Sequence, residues 1–355
     1  MRTVLAHDCN QVSVRAPRQR MLDALHCRTV DRPPLWLMRQ AGRCLPEYRA
    51  LKEKYSFRQL VQTPALAAEV TLQPVRRFHF DAAILFSDIL VIPEAMGQGF
   101  RFRETGGVEM DFILRDHHDI RRLNTAGISD RLQYVAEAIR VTKSGLRGAT
   151  ALLGFAGSPW TLANFMLEGG SSRAHVRGLQ MFRQNRALFD SLCAELTRAV
   201  IEFLQLQITA GVDAIQIFDS LGGLLPADDF EAASGRWIRM IVQALQSQAP
   251  LVVYSKGTRA WPSLVATGAQ AISVDHEIAL AEANDHLPAE VAIQGNLPPE
   301  LLVAGTPATV ATQTAHLLET MRYRPGYIFN LGHGVPPHAQ MENLEALVST
   351  VQNFV

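Results

Sequence analysis

Arg39 and Arg43 stand four residues apart in the stretch PPLWLMRQAGRCLPEYR, residues 33–49. A guanidinium presents its donors in a rigid fork that matches a carboxylate or phosphate, and each charge-assisted bond contributes ~1.5–3 kcal/mol. Two such groups, released together past a short apolar run, form either an anion clamp or a pair of exposed ion pairs worth at most about 1 kcal/mol. Asp88 is an acid in an almost wholly apolar setting, between Phe86-Ser87 and Ile89-Leu90-Val91-Ile92. It either caps a helix or pairs with an arginine in the wall, or aims its carboxylate at N–H donors or developing positive charge on a ligand. His333 lies between Gly332 and Gly334, which fits a tight turn or a close-approach nest of N–H groups for an anion. Ser220, after Asp219 and before Leu221-Gly222-Gly223, either caps a helix or gives its hydroxyl to a ligand carboxylate. Spacing supports no Ser-His-Asp or Cys-His assignment, and phosphate-loop, zincin and calcium-loop patterns are missing.

The elements that must position these groups are short apolar runs. Residues 35–38, bounded by Pro33-Pro34, read as a buried strand that releases Arg39. Further runs lie at 81–86, 150–155, 212–218, 251–254, 271–274, 291–293 and 327–329, and each ends in polar or glycine-bearing residues. Helical patterns at 18–28, 47–61, 64–77, 129–144, 176–210 and 227–246 accompany them, with a long loop or small hairpin over 98–115. Near-continuous apolar strands alternating with helices predict a parallel sheet covered on both faces. Eight of them predict an α/β fold, a single (β/α)8 TIM-type barrel with an N-terminal helical extension, spanning 17–355 after a flexible tail at 1–16. The competing open sheet is disfavoured because no GxGxxG turn follows the first strand. Barrel topology then gathers Arg39, Arg43, Asp88, Ser220 and His333 into one mouth at the C-terminal strand ends.

Composition narrows the ligand. The 355 residues are 48% hydrophobic and 19% charged, ample for a large core. Lys plus Arg and Asp plus Glu both number 34, so no global field recruits nucleic acid or an anionic membrane. An anionic ligand must be captured by a local cluster. The four cysteines show no CxxC or metal spacing, which fits reduced thiols in the cytoplasm. No apolar stretch approaches the ~18 residues of a membrane span, and the N-terminus has no signal-peptide core.

Read together, the strand-end segments strongly resemble the uroporphyrinogen decarboxylase family. The matching words are RPPLWLMRQAGR at 32–43, LPEYR at 45–49, FDAAILFSDILVIPEAMG at 80–97, GFAGSPWTL at 154–162, EGG at 168–170 and IFNLGHG at 328–334. The resemblance implies a barrel, commonly a homodimer, that removes CO₂ from the four acetate arms of uroporphyrinogen III to give coproporphyrinogen III, with no cofactor and no metal. It implies that Asp88 stabilises a cationic pyrrole, with Arg39 a candidate proton donor or its organiser. It further implies substrate contacts from Arg39, Arg43, Asp88, Phe155, Phe165, Ser220 and His333. Three positions depart from the family pattern: Cys44 and Phe165 each replace a Tyr, and Pro298 stands where the family has an Asp. These three changes imply reduced activity, compensation by a water or by Asn164, or a divergent paralogue. Two alternatives follow from the same resemblance: a zinc- and corrinoid-linked methyltransferase of the superfamily, which needs thiolate or imidazole ligands at late strand ends, and a non-catalytic tetrapyrrole-binding paralogue.

Overall fold

The computed structural model describes residues 15–103, 106–172 and 175–354. Seven of the apolar runs pair as one parallel sheet. In chain order its strands are β1 (Ala82–Ile84), β4 (Ala151–Gly157), β5 (Ala214–Asp219), β6 (Leu251–Ser255), β7 (Ala271–Ser273), β8 (Ala292–Leu297) and β9 (Tyr327–Leu331), each beside the next. The segment expected as a loop or hairpin contains the antiparallel pair β2 (Phe100–Phe102) and β3 (Val108–Met110).

The eighth expected strand, 35–38, is not a strand: its ladder is one parallel bridge from Leu35 to Phe329. The ring nevertheless closes there. Phe329 N–H donates to Pro34 C=O at 2.9 Å on one side, and Asp81 N–H to Leu35 C=O at 2.9 Å on the other. The reason for the missing ladder is local. Pro33 and Pro34 have no N–H to give, and three of the next amides are taken by side chains. Leu35 N–H donates to Asp81 Oδ2 at 2.8 Å, Leu37 N–H to Gln40 Oε1 at 3.0 Å and Met38 N–H to Asn330 Oδ1 at 2.9 Å.

Successive residues of each strand face opposite ways, so the apolar runs supply two cores. Leu153 and Phe155 of β4, Phe218 of β5, Val252 and Tyr254 of β6 and Ile328 of β9 point into the ring, where Met21, Ala24 and Leu25 close its floor. Their neighbours Leu152, Ala156, Ile217, Val253 and Phe329 face the surrounding helices. One polar layer crosses the interior: Trp36 Nε1 donates to Gln294 Oε1 at 2.9 Å, and Gln294 Nε2 donates to Ser273 Oγ at 2.9 Å and Gln216 Oε1 at 3.2 Å.

The N-terminal face is tied by buried acids. Asp81 Oδ1 accepts from Arg20 at 2.5 Å and its Oδ2 from Arg32 at 2.7 Å, and Arg20 also forks onto Asp31 at 2.6 and 2.7 Å. Asp213 accepts from Arg18 and Lys143 and from Leu152 N–H, linking the first helix, Pro17–Leu25, to β4. The tail expected over 1–16 lies outside the described residues except for Arg15 and Ala16, and Arg15 is ion-paired to Asp23.

Three expected helices are each divided, that over 129–144 into Ile128–Arg131 and Gln133–Leu146. The pattern over 47–61 forms Pro46–Lys52 and Phe57–Gln62, because Ser56 and Gln59 make a reciprocal capping box that starts a new helix. The pattern over 176–210 forms Val176–Gln184 and Arg186–Ala210, broken at Asn185, whose side chain accepts from Leu188 N–H. The 227–246 pattern contains a π-helical turn, Glu231–Gly235, between Ala227–Phe230 and Arg236–Leu245. Among the described residues no helix is long and apolar enough to cross a membrane.

Candidate active site

Asp88 follows β1 on the C-terminal side of the sheet, in the turn that leads to the short helix Val91–Ala95. Its Oδ1 accepts from Leu90 N–H at 2.8 Å, so half of the carboxylate does the capping expected of a bland role. Among the described residues Oδ2 has no hydrogen-bond donor. Loss of hydration raises the Asp88 carboxyl above the usual carboxylate range, while the Leu90 N–H and the Arg39 charge oppose the rise and Glu94 adds to it. Asp88 lines a cavity of about 610 Å³ together with Lys52, Phe57, Arg58, Glu94, Phe100 and Asp111, whereas Arg39, Phe155, Ser220 and His333 are not part of that lining. That size suits a small organic molecule.

Arg39 is exposed and adopts a left-handed conformation, φ 59°, which turns its side chain away from the extended direction of 34–38. It lies along Gly334, where a Cβ would fall 2.4 Å from Arg39 Cδ. That glycine is therefore required for the arginine's path, a use distinct from the N–H nest expected from the sequence. Arg39 acts electrostatically on Asp88, His333 and Tyr254. His333 is half-buried. Burial, then Arg39, Lys256 and His276, push its imidazole down to about 4, so it is neutral near pH 7.

Phe155 joins the same wall through a run of edge-on rings. Phe155 meets Phe218 at 5.6 Å between centroids, Phe218 meets Tyr254 at 6.2 Å, and Tyr254 meets His333 at 6.4 Å. Tyr254 O–H donates across the mouth to Gly332 C=O at 3.0 Å. Ser220, half-buried just past β5, begins a loop held to the next one, with Gly223 N–H donating to Lys256 C=O at 2.7 Å. The structure thus gathers Arg39, Asp88, Phe155 and His333, with Ser220 on the adjoining loop. Arg43 is exposed beside Tyr48, and the ring of Phe165 meets His175 at 6.1 Å; among the described residues neither shares a hydrogen bond, ion pair or ring contact with the cluster.

Sequence reasoning overlooked Asp219 as a positioning group. Fully buried, it accepts from Ser158 and Thr161 on Oδ1, at 2.5 and 3.1 Å, and from Ser234 and Ser255 on Oδ2, at 3.1 and 2.9 Å. Ser234 reaches it from the π-helical turn. Tyr254, Lys256 and His276 were also overlooked, although all three stand at or beyond the ends of apolar runs. Among the described residues no cluster of three or more His, Cys, Asp or Glu side chains is placed to hold a metal ion.

The family model for uroporphyrinogen decarboxylase (URO-D) matches residues 16–354. This chain belongs to the uroporphyrinogen decarboxylase family. The uroporphyrinogen decarboxylase of Alkalilimnicola ehrlichii is 44% identical over 342 residues, covering 94% of this chain and 93% of its own. That of Coxiella burnetii is 40% identical over 348 residues, covering 96% of each. Among solved structures, a methyltransferase from Methanosarcina mazei shares the fold with a TM-score of 0.78 at 19% identity, over 96% of this chain and 99% of its own.

The departures from the uroporphyrinogen decarboxylase pattern take definite places. Cys44 is buried in the outer core, where loss of hydration pushes its thiol up to about 11, so it is a packing residue. Asn164, the expected compensation for Phe165, is buried: its amide donates to Trp160 C=O at 2.8 Å, and its Oδ1 faces Gly178 of the helix Val176–Gln184. Pro298 C=O accepts from Leu301 N–H at 3.2 Å, so this proline opens a turn.

Proposed function

We propose that this protein decarboxylates the four acetate side chains of uroporphyrinogen III to methyl groups, giving coproporphyrinogen III, with the site described above as its catalytic centre. The observation that carries the proposal is the half-capped Asp88 carboxylate, with one oxygen free among the described residues and the Arg39 charge acting on it, in a chain of this family. Protonation of the electron-rich pyrrole beside an acetate arm makes a cationic electron sink. The bond between the arm's methylene and its carboxylate then breaks, its electron pair moves into the ring, CO₂ leaves, and a proton on the methylene completes the methyl group. The ring proton is given up again, so each arm consumes one proton overall.

Asp88, next to the pyrrole N–H groups, stabilises that cation; a preorganised charge in a water-poor site is worth roughly 3–4 kcal/mol. Arg39 and Arg43 bind substrate carboxylates, Arg39 being also the candidate proton donor or its organiser. Ser220 and His333 meet further carboxylates, and Phe155 and Phe165 pack against the macrocycle. A neutral His333 fits this role, since it offers an N–H without a second strong cation at the reacting ring. We also propose a cytoplasmic homodimer, following the family.

Anaerobic incubation of the protein with uroporphyrinogen III, then oxidation and chromatography of the porphyrins, is expected to show stepwise loss of four carboxyl groups. Recovery of unchanged uroporphyrin would sink the proposal. Phe165→Tyr is expected to leave kcat within about threefold of the parent, a barrier change below 1 kcal/mol, because this ring is already engaged with His175. A tenfold rise would mean that the hydroxyl reaches the reacting arm.

A further inference from the structure

We propose that Lys256, with His276 beside it, is an additional carboxylate-binding position at the mouth, across the ring from Arg39. The inference rests on the decarboxylase reading and extends its binding site. Counting the seam at 34–36 as the first of eight positions, β6 is the fifth, so the loop beyond β6 faces the turn that bears Arg39. The two are bridged over the mouth by Tyr254 of β6, which bonds to Gly332, and by His333, on whose ring both Arg39 and Lys256 act.

The backbone around Lys256 is fixed on both sides. Its N–H donates to Asp219 C=O at 3.2 Å, its C=O accepts from Gly223 at 2.7 Å, and the following residue, Gly257, donates to the Asp275 carboxylate. Gly223 must lack a side chain here, since a Cβ would lie 2.7 Å from Lys256 O. The half-buried Lys256 side chain, by contrast, has no ion pair or hydrogen bond among the described residues. The nearest buried acids are engaged elsewhere: Asp219 by four hydroxyls, Asp275 by the amides of Gly257 and Glu277. His276 lies against Gly332, with Nε2 3.7 Å from Glu300 and a buried Nδ1 that has no hydrogen-bond partner among the described residues. A fixed loop thus carries a cation that has no ion pair among the described residues, the exposed Glu300 being placed on His276 instead. A macrocycle with carboxylates around its whole edge needs cations on opposite sides of the opening, and Arg39 supplies only one side.

The test compares the full-length parent with Lys256→Gln and Lys256→Arg, by anaerobic steady-state kinetics with uroporphyrinogen III over a series of KCl concentrations. Lys256→Gln is expected to raise KM about tenfold, with kcat within about threefold. Its log KM should depend on log salt less steeply by roughly one counter-ion, and Lys256→Arg should restore both. A KM within about twofold of the parent would overturn the proposal, as would an unchanged KM with a displaced kcat–pH profile, which would mean that Lys256 acts only on His333. If the parent shows no turnover, quenching of uroporphyrin fluorescence replaces KM. About tenfold weaker binding by Lys256→Gln then keeps the site while the decarboxylase reading falls; equal binding, or none by the parent, overturns it.

Discussion

Asp88→Asn is expected to lower kcat by at least about 10²-fold, the size of a lost preorganised charge partner, while raising the melting temperature. Both effects come from the same carboxylate. Its pKa is raised in the folded protein, with loss of hydration the largest cause, so the fold favours its protonated form. A raised carboxyl contributes stability that is present below the unfolded value of ~3.9 and is lost as pH rises through the folded value. Wherever the group is ionised it is therefore a net cost to the fold. Asparagine removes that charge yet can still accept from Leu90 N–H, and the fold gains what the reaction loses. The acid limb of the parent's kcat/KM profile should lie above the ordinary carboxylate range and vanish from the residual activity of the variant. Near-normal turnover would return Asp88 to a capping role.

Asp81→Ala is expected to destabilise the protein by about 3–5 kcal/mol, the cost of removing one partner from a buried ion pair. Asp81 is fully buried and receives Arg20, Arg32 and the amide of Leu35. Its loss leaves guanidinium donors and one backbone N–H unpaired in the wall, and it loosens the segment that leads into Arg39. Denaturant unfolding checks the stability, and kcat/KM measured well below the midpoint checks the site. A loss under about 1 kcal/mol, the range of an exposed pair, would show that Arg20 and Arg32 re-pair without cost.

The barrel was legible because strands covered on both faces read as unbroken apolar runs, and seven of these became strands. The first did not: the side chains that take its amides come from Gln40, Asp81 and Asn330, and two of these lie far along the chain. No local pattern announces such a substitution. The break at Ser56 was visible in principle, since Ser56 and Gln59 have capping-box spacing, but an apolar periodicity running through it masked the signal. Arg39, Asp88 and His333 were recognisable at strand ends because each is a chemically distinctive residue in an apolar or glycine setting. Asp219 looked incidental in sequence because its four hydroxyl partners sit on three separate segments. Lys256 was passed over because its meaning comes from position in the ring, opposite Arg39, and from acids that are already occupied.

The closure at 34–36 gives the ring a clasp. Ladder pairing between strands is indifferent to side-chain identity, whereas this junction is specified by Asp81, Gln40 and Asn330, any of which one substitution can alter. The arginine-bearing turn hangs from that clasp. Variants at these three buried positions therefore belong with those of the active site when loss-of-function changes are interpreted, even though none of them faces the cavity. Heritable variation in activity has a route here that leaves every catalytic group in place.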